Sequence, residues 1–315
     1  MTDSSTDGAA AAFGDSVRQA LAPLQAGYDS PASTTIIWSA EHWKTVEALG
    51  LPGLLVPEDA GGAGASLAEA AAAIEALGAL GDPSPAAETA VLSWLVTRDT
   101  GTVPDGPLVF AEPGRRSTWP RKACTVRNGG TIDEPPGTVA DRPLLNGVPV
   151  SDPVKGAVEE TPYRRAMAVT RAVQLVGASL AALDLTIGHV THRKQFGRPL
   201  ARFQAVQQHI AIAAAQTAAA AQVARAAFAA LNRDDEFLAA SAKISAGRAG
   251  TVAAKAAHQF HGAMGYTAEY PLHRLSRSIW QWREDFGNET WWSRRLGTRI
   301  CASGPDALWA DLATA

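Results

Sequence analysis

The stretch Arg193-Lys194-Gln195-Phe196-Gly197-Arg198-Pro199-Leu200, followed by Phe203-Gln204-Ala205-Val206-Gln207, joins two long helical patterns through a basic turn. The first helix ends in cations, and a Gly and a Pro break the chain before the second helix starts. The side chain of Arg193 offers a planar guanidinium to a phosphate group. Gln204 stands at a helix N-terminus, where backbone N–H groups and the helix dipole favour anions. The pattern therefore fits an anion site, and it also fits an ordinary helical hairpin with a basic cap.

A second stretch, Gln259-Phe260-His261-Gly262-Ala263-Met264-Gly265-Tyr266, ends a later helix in a turn that contains two glycines. A glycine has no Cβ, so the backbone of this turn can approach a ligand closely. Pro271 then suits the first turn of another helix. Taken alone, this stretch is also what a plain turn between two helices looks like.

Around these two stretches, residues 161–315 have the pattern of long helices. Seven apolar residues spaced by three and four lie on one side of the first long helix and form an apolar seam there. They are Val169, Val173, Val176, Leu180, Leu183, Ile187 and Val190. Further helices are expected at 203–231, from an N-terminal cap at Asp234 to residue 260, at 271–282 and at 290–302. Long helices with short connections predict an antiparallel four-helix bundle.

Residues 1–105 form an earlier helical zone, with patterns at 17–24, 41–49, 66–80 and 85–95. Ser66 and Glu69 have the spacing of a capping box at the start of the third pattern. Gly61–Gly64 lacks the spacing of a nucleotide-binding motif, so it is interpreted as a loop between helices.

Residues 106–160 differ from both helical zones, because they are rich in Pro and Gly. Strand-like pieces occur at 108–111, 123–126 and 144–150. Asn128-Gly129 and Asn146-Gly147 are tight-turn signals. This zone predicts a small β element.

The composition excludes several classes of partner. With 315 residues and a formal charge of −3, the chain has no basic excess that would attract nucleic acid or an anionic membrane. Its two cysteines fit neither a disulfide framework nor a metal pattern, so a reducing cytoplasm is expected. His189 and His192 have no carboxylate or thiol beside them, so no metal site is predicted. Neither a signal peptide nor an apolar run of about 20 residues is found.

Three segments together resemble motifs of the acyl-CoA dehydrogenase family. Residues 193–207 are similar to the family's R-x-x-F-G…Q motif. Residues 259–271 are similar to its Q-x-x-G-G-x-G-(Y/F)-x-x-E-Y-P motif, with Ala263 in place of the second Gly. Residues 49–62 are similar to its L-G-L-x-G-L-x-V-P-E…G-G segment. The motifs occur in the family order, and the resemblance spans most of the chain.

The resemblance implies a mainly α fold with a helical N-terminal domain (1–105), a truncated β middle domain (106–160) and a C-terminal four-helix bundle (161–315). In the family, FAD lies across a subunit interface, and the neighbour's bundle binds the ADP half. The family reaction desaturates the α,β bond of an acyl-CoA thioester, with a Glu as the base and the flavin as hydride acceptor. Carried over by position, the FAD-binding residues of this chain are Arg193, Phe196, Gln204, Gln259, Gly262 and Ala263.

The chain differs from the family at the position of the catalytic base. The family's Glu most often follows the Tyr-Pro motif, where this chain has Phe286 or Gly287. The other family location corresponds to a position near Met167. None of these residues can accept a proton, so no catalytic residue is assigned. Glu284 and Glu289 are near in sequence, but one step along a helix turns a side chain by roughly 100 degrees.

The chain also departs from the family in its β zone. The 52 residues from 111 to 162 leave room for at most about five or six strands. Phe110-Ala111-Glu112-Pro113 is similar to the family's L-T-E-P, but the continuation Gly114–Ser117 differs, and the Trp-Ile-Ser/Thr segment has no counterpart. These departures resemble the short subunits of actinobacterial α2β2 acyl-CoA dehydrogenases that act on steroid side-chain CoA thioesters. There, a full-length partner supplies the Glu and the barrel, and FAD sits only at the heterodimer interface.

Two other hypotheses stay open at this point. The chain could be a self-sufficient homo-oligomeric dehydrogenase that uses Glu289 or Glu284 as a displaced base. It could also be a non-enzymatic relative that keeps the bundle as an assembly module. A group of tryptophans either lines the substrate path or packs between elements, and packing is the simpler interpretation. The group consists of Trp280, Trp282, Trp291 and Trp292.

Overall fold

The computed structural model describes residues 4–28, 39–110, 124–126, 132–133, 144–145, 148–149 and 161–314. The N-terminal region contains helices α1 (Ser4–Leu21), α2 (Ala40–Ala48), α3 (Leu67–Leu80) and α4 (Ala86–Thr100). The C-terminal region contains α5 (Pro162–His192), α6 (Gln204–Ala229), α7 (Glu236–His261), α8 (Leu272–Glu284), α9 (Glu289–Ser303) and α10 (Pro305–Thr314). Helix α10 lies beyond the last helix that the sequence pattern predicts.

The strands in the described residues are short. β1 (Leu108–Phe110) pairs in parallel with β2 (Cys124–Val126), which pairs antiparallel with β3 (Ile132–Asp133). β4 (Leu144–Leu145) and β5 (Val148–Pro149) form an antiparallel pair. The turns expected at Asn128-Gly129 and Asn146-Gly147, and the segment 111–117, lie outside the described residues. The expected fold class, mainly helical with few strands, is confirmed.

Helix α5 is the centre of the molecule and packs against α3, α6, α7 and α8. Thr161 caps it by accepting a hydrogen bond from Arg164 N at 3.2 Å, and Pro162 occupies its first turn. Most of the predicted apolar seam is buried, but Ile187 is 43% exposed because the last turns of α5 reach the surface. Helix α5 is long and apolar enough to cross a membrane, yet 89% of its apolar window is buried, as in the core helix of a soluble fold.

Helices α3 and α5 touch through their backbones. A Cβ added to Gly78 would lie 2.3 Å from Gln174 O, and a Cβ added to Gly177 would lie 2.1 Å from Glu75 O. Real Cβ atoms do not approach backbone that closely, so glycine at both positions allows the contact. One continuous apolar core consequently joins the N-terminal helices to the bundle.

Two helix caps bear on the sequence interpretation. The Ser66–Glu69 capping box is present, with Glu69 N donating to Ser66 Oγ at 3.2 Å and Ser66 N donating to Glu69 Oε2 at 2.9 Å. The cap expected at Asp234 is wrong. Asp235 caps α7 by accepting from Leu238 N at 3.1 Å. Asp234 has a left-handed φ of 54° and pairs with Arg165 instead.

Candidate functional site

The basic turn after α5 is a small β-hairpin. β6 (Lys194–Gln195) pairs antiparallel with β7 (Arg198–Pro199), and the two turn residues between them both have positive φ, 51° at Phe196 and 78° at Gly197. Two positive φ values are what a two-residue hairpin turn requires, and the twist of the strands favours it. The sequence interpretation expected only a break here. The Gly at the second turn position was the available signal for a hairpin.

Phe196 is held at the tip of this hairpin and is 90% exposed. A bulky residue at positive φ costs on the order of 1–3 kcal/mol, and such strained residues cluster at functional sites. The ring lies edge-on to Phe203, 6.2 Å between centroids, and the Arg198 guanidinium stands 4.1 Å from the centroid of Phe203. The hairpin therefore exposes the Phe196 ring to solvent, and contacts with Phe203 hold the hairpin in place.

Helix α6 begins at Gln204, as expected, and its N-cap residue is Phe203. A phenylalanine side chain has no acceptor, so the first N–H groups of α6 receive no side-chain cap. Uncapped N–H groups at the positive end of a helix dipole attract an anion.

Arg193 is the C-cap residue of α5 and is exposed. Among the described residues, its guanidinium has no carboxylate partner. The surrounding sequence explains this, because residues 185–233 contain no Asp or Glu, and neither do residues 237–268. Both motif-bearing stretches lie inside these acid-free segments, so their basic side chains have no acidic neighbour close in sequence.

A cavity of about 490 Å³ brings the two stretches together. Arg193, Gln259 and Gly262 line it from the ends of α5 and α7, with His189 and His261 beside them. Gly262 has a φ of 60°, and a Cβ added to it would meet no heavy atom within 4 Å, so its backbone faces open space. Phe196, Gln204 and Ala263 are exposed, like the other three predicted residues, but they do not line this cavity.

Two histidines that the sequence interpretation did not assign form one side of this cavity. The rings of His189 and His261 stack with centroids 4.4 Å apart. His261 Nε2 lies 3.0 Å from the Tyr270 hydroxyl and its Nδ1 lies 2.8 Å from Ala257 O. Burial is the main cause that lowers the pKa of both rings, which favours neutral imidazoles. No metal-binding group of His, Cys, Asp and Glu occurs in the described part of the chain.

Phe286 is one of the two residues, with Gly287, where the family resemblance places the base, and it is fully buried with a φ of 57°. Its ring packs 6.0 Å from the ring of Phe110, and its carbonyl accepts a hydrogen bond from Trp292 Nε1 at 3.0 Å. Met167, near the other family location, is also fully buried. Neither side chain carries a group that can accept a proton.

A buried ionic network lies beside Phe286, with the Arg171 guanidinium 5.5 Å from the centroid of its ring. Arg171 contacts Glu88 and Gln174, and its Nε lies 3.0 Å from Asp285 Oδ2. Glu88 also accepts a hydrogen bond from Phe110 N at 3.1 Å. All four polar side chains are buried. Charges buried this deeply need such partners, so the network fixes α4, α5 and the loop after α8 in one arrangement.

The two acids considered as displaced bases are engaged elsewhere. Both carboxylate oxygens of Glu289 accept hydrogen bonds from Arg283, at 2.7 and 2.8 Å. The bond from Arg283 is the main cause that lowers the pKa of Glu289, which makes this carboxylate a weaker base. Glu284 is exposed and accepts from Asn288 Nδ2 at 2.9 Å.

Most of the tryptophan group packs inside the fold. Trp282 and Trp292 are buried, and Trp291 lies under the Arg164 guanidinium, 3.8 Å from its ring centroid. Trp280 remains partly exposed beside Arg283. These contacts support the packing interpretation for Trp282, Trp291 and Trp292.

Two family profiles match the chain. The profile described as Acyl-CoA dehydrogenase, C-terminal domain, matches residues 164–281, and the profile described as Acyl-CoA dehydrogenase, N-terminal domain, matches residues 9–101. The chain belongs to the acyl-CoA dehydrogenase family. Members of this family are FAD flavoproteins and oxidoreductases that act on CH–CH bonds.

The chain is similar to individual members over nearly its full length. IpdE2 of Mycobacterium tuberculosis strain H37Rv, named an acyl-CoA dehydrogenase, is 27% identical over 291 residues, covering 82% of this chain and 87% of that protein. The match to one other curated relative spans only 29% of that relative's length.

Two solved structures share the fold. A chain of the ChsE4-ChsE5 complex from Mycobacterium tuberculosis superposes with a TM-score of 0.78 at 20% identity, covering 96% of this chain and 99% of that chain. A chain from a variant of the Tcur3481-Tcur3483 steroid ACAD superposes with a TM-score of 0.70 at 22% identity, covering 95% and 97%. The expected acyl-CoA dehydrogenase-like architecture is confirmed.

Proposed function

We propose that this chain is a non-catalytic subunit of a heteromeric, FAD-dependent acyl-CoA dehydrogenase. Its bundle binds the ADP half of FAD, while a full-length acyl-CoA dehydrogenase subunit supplies the catalytic Glu and the flavin-side barrel in an α2β2 heterotetramer. The observation that carries the proposal is that the family resemblance places the base at Phe286 or Gly287, and neither residue has a proton acceptor, the Phe286 side chain being fully buried. The proposed domains are 1–105, 106–160 and 161–315.

The donor groups around the 490 Å³ cavity suit the ADP half of FAD. Arg193, which has no carboxylate partner among the described residues, suits the pyrophosphate, as does the uncapped start of α6 at Gln204. Gln259 supplies an amide, and Gly262 and Ala263 supply exposed backbone. The exposed ring of Phe196 offers an apolar contact to the adenosine.

In this proposal the chain contributes binding and orientation. FAD, when bound, supplies the acceptor for the hydride that leaves the β-carbon of the thioester. Arg193 and the start of α6 neutralise the pyrophosphate, and two long helices hold these groups at fixed positions. The acyl-CoA is bound mainly by the partner subunit, because the position of this chain's own base is filled by Phe286.

The similar structures support a partner chain and a substrate class. The similar ChsE4-ChsE5 and Tcur3481-Tcur3483 proteins are each made of two different chains, which supports a heteromer. The second is called a steroid ACAD, which supports a steroid side-chain CoA thioester as the substrate. We place the assembly in the cytoplasm, because the apolar helix α5 is a core helix and the two cysteines form no disulfide pattern.

Co-expression with a full-length acyl-CoA dehydrogenase subunit tests the proposal. We expect little or no flavin on the isolated chain, and one FAD for each pair of chains in the purified complex, measured by flavin absorbance and subunit ratio. Arg193→Ala lowers the FAD content, whereas the control Lys44→Ala, an exposed lysine on α2, leaves it unchanged. An isolated chain that is yellow and oxidises an acyl-CoA would refute the proposal.

The alternatives have distinct outcomes in the same experiment. A self-sufficient enzyme would lose its activity on Glu289→Gln. The two hydrogen bonds from Arg283 make Glu289 a weaker base, which argues against this alternative. A pure assembly module would leave the partner's FAD content untouched by Arg193→Ala.

A further inference from the structure

A second cavity lies beside the candidate site. It measures about 720 Å³ and follows the later turns of α5, between the end of α3 and the start of α8. His189 lines this cavity as well as the cavity that contains Arg193, so the two are neighbours. Pockets for small molecules measure roughly 300–1,000 Å³, so the second cavity has the size of a ligand site.

The floor of this cavity is a face of α5 with small and apolar side chains. Ala181 and Gly188 are seven residues apart, about two helical turns, so they share this face. Leu180 and Leu185 lie on either side of them and pack, partly buried, against the core. A Cβ added to Gly188 would meet no heavy atom within 4 Å, so the described residues leave the space above it open. An apolar molecule can therefore lie against the helix between the two leucines.

One wall of the cavity, formed by the end of α3 and the start of α8, is fixed by direct contacts. Arg274 Nε donates a hydrogen bond to Leu80 O at 2.9 Å. A Cβ added to Gly81, the C-cap residue of α3, would lie 3.2 Å from Arg274 Cγ, so the two elements touch. The Tyr270 hydroxyl lies 3.0 Å from His261 Nε2. The wall is thus formed before any ligand arrives, which lowers the cost of binding.

The charged side chains around the cavity cancel one another. Two arginines and two acids line it, namely Arg18, Arg274, Glu75 and Asp184. Both carboxylate oxygens of Glu75 accept hydrogen bonds from Arg225, each at 2.9 Å. Arg18 lies 3.4 Å from Asp15. The lining therefore offers no excess of either charge that would hold an ionic ligand.

We propose that this cavity is a binding site for an uncharged, largely apolar small molecule. Such a molecule gains from leaving water for the apolar floor, whereas an ion would lose its hydration without a counter-charge in return. The inference goes beyond the proposed function, because the site needs neither FAD nor a partner subunit. An occupant would touch His189 and thereby contact a residue of the candidate cofactor cavity.

Fluorescence titration of the full-length chain with Nile red, an uncharged apolar dye, tests the site. Gly188→Leu places a side chain in the cavity, so we expect it to weaken Nile red at least about tenfold relative to the wild type. Gly297→Leu is the matched control, because Gly297 is also a helical glycine whose added Cβ meets no heavy atom within 4 Å, and it lies on α9. This control should keep the wild-type affinity. Ala181→Leu fills the same floor by a separate change and should also weaken the dye.

The class of ligand has its own test. Anilinonaphthalene sulfonate is an apolar dye with a negative charge, and we expect the wild type to bind it more weakly than Nile red. Asp184→Asn removes one of the two lining carboxylates, so this variant should bind the sulfonate more tightly and Nile red unchanged. A wild type that prefers the sulfonate would overturn the assignment to uncharged ligands.

The remaining outcomes separate this inference from the proposed function. If the wild type does not bind Nile red, or if Gly188→Leu and Ala181→Leu bind it as well as Gly297→Leu does, the ligand site is refuted. The proposed function is untouched by that result, because it is tested by the FAD content of the complex. If the isolated chain binds Nile red but the purified complex does not, the partner subunit covers the cavity and the assignment to a small molecule is wrong.

Discussion

Arg171 and Asp285 form a buried ion pair in which Arg171 Nε lies 3.0 Å from Asp285 Oδ2. The same guanidinium contacts Glu88 on α4. One side chain of the central helix thereby connects the N-terminal helices to the residue that precedes Phe286. A charged network and the buried aromatic ring of Phe286 therefore occupy the same part of the core.

Removing the centre of this network should destabilise the fold strongly. Arg171→Ala removes a buried cation that contacts the carboxylates of both Glu88 and Asp285, so we expect a loss of about 3–5 kcal/mol in the free energy of unfolding. Urea denaturation measures it. The control Arg225→Ala breaks the more exposed pair with Glu75 and should cost at most about 1 kcal/mol. Equal losses in the two variants would contradict the role of the buried network.

Returning a carboxylate to the filled position should not create an active site. Phe286→Glu buries an acid beside Asp285, so we expect lower stability, by at least about 3 kcal/mol, and no added turnover per flavin in the complex with the partner. Phe286→Leu is the matched apolar control and should lose less stability. Thioester oxidation followed with an artificial electron acceptor provides the activity measurement. A gain in turnover with Phe286→Glu would show that this chain has an open substrate site.

Lys243 should make stability depend on pH. Its Nζ is buried and donates to Trp282 O at 2.9 Å and Arg283 O at 2.7 Å. Burial lowers the pKa of this lysine to about 7, below the value of about 10.4 for an unfolded chain. Between these two values the unfolded chain binds more protons, so the stability contribution of this group rises with pH and is lost as pH falls toward 7.

Two lysine variants on α7 isolate this effect. Between about pH 7 and about pH 10, the Lys243 amine makes the free energy of unfolding rise with pH. Lys243→Met should remove this contribution to the pH dependence. Lys255→Met changes an exposed lysine of the same helix and should keep the wild-type slope. Urea midpoints at several pH values give the comparison. A wild-type slope in Lys243→Met would mean that the buried amine does not titrate in this window.

The backbone contact between α3 and α5 can be tested with two glycines of one helix. Gly177→Ala places a Cβ 2.1 Å from Glu75 O, so the helices must separate and we expect clear destabilisation. Gly188→Ala adds a Cβ that meets no heavy atom within 4 Å, and alanine favours helix, so stability should rise by up to about 1 kcal/mol. Thermal unfolding of both variants distinguishes them. Similar melting temperatures would mean that α3 and α5 do not touch as described.

Local sequence signals predicted local structure well. The Ser66–Glu69 capping box could be predicted because its two residues are three apart in sequence. Their side chains bond only to the start of their own helix, so no distant residue is involved. The same kind of signal failed at Asp234, because Asp235 is an equally good cap and only the left-handed φ of Asp234 decides between them. Ile187 lies on the predicted apolar seam but is exposed, because where a helix reaches the surface depends on its neighbours.

The contacts that define the site could not be derived in the same way. Arg171 meets Glu88 and Asp285 across separations of 83 and 114 residues, and no periodicity encodes such pairs. The family motifs pointed to Arg193 and Gln259, which line one cavity. The histidines of that cavity were missed, because a lone histidine at a helix end carries no pattern of its own.

Gly78 and Gly177 also bear on how such a chain could arise. With α3 and α5 locked together directly, the connection between α4 and α5 is not what keeps the two helical regions in place. Its length can change over evolutionary time while the face with Arg193 keeps its shape. The two helical regions can therefore stay folded together even when the segment between them differs in length.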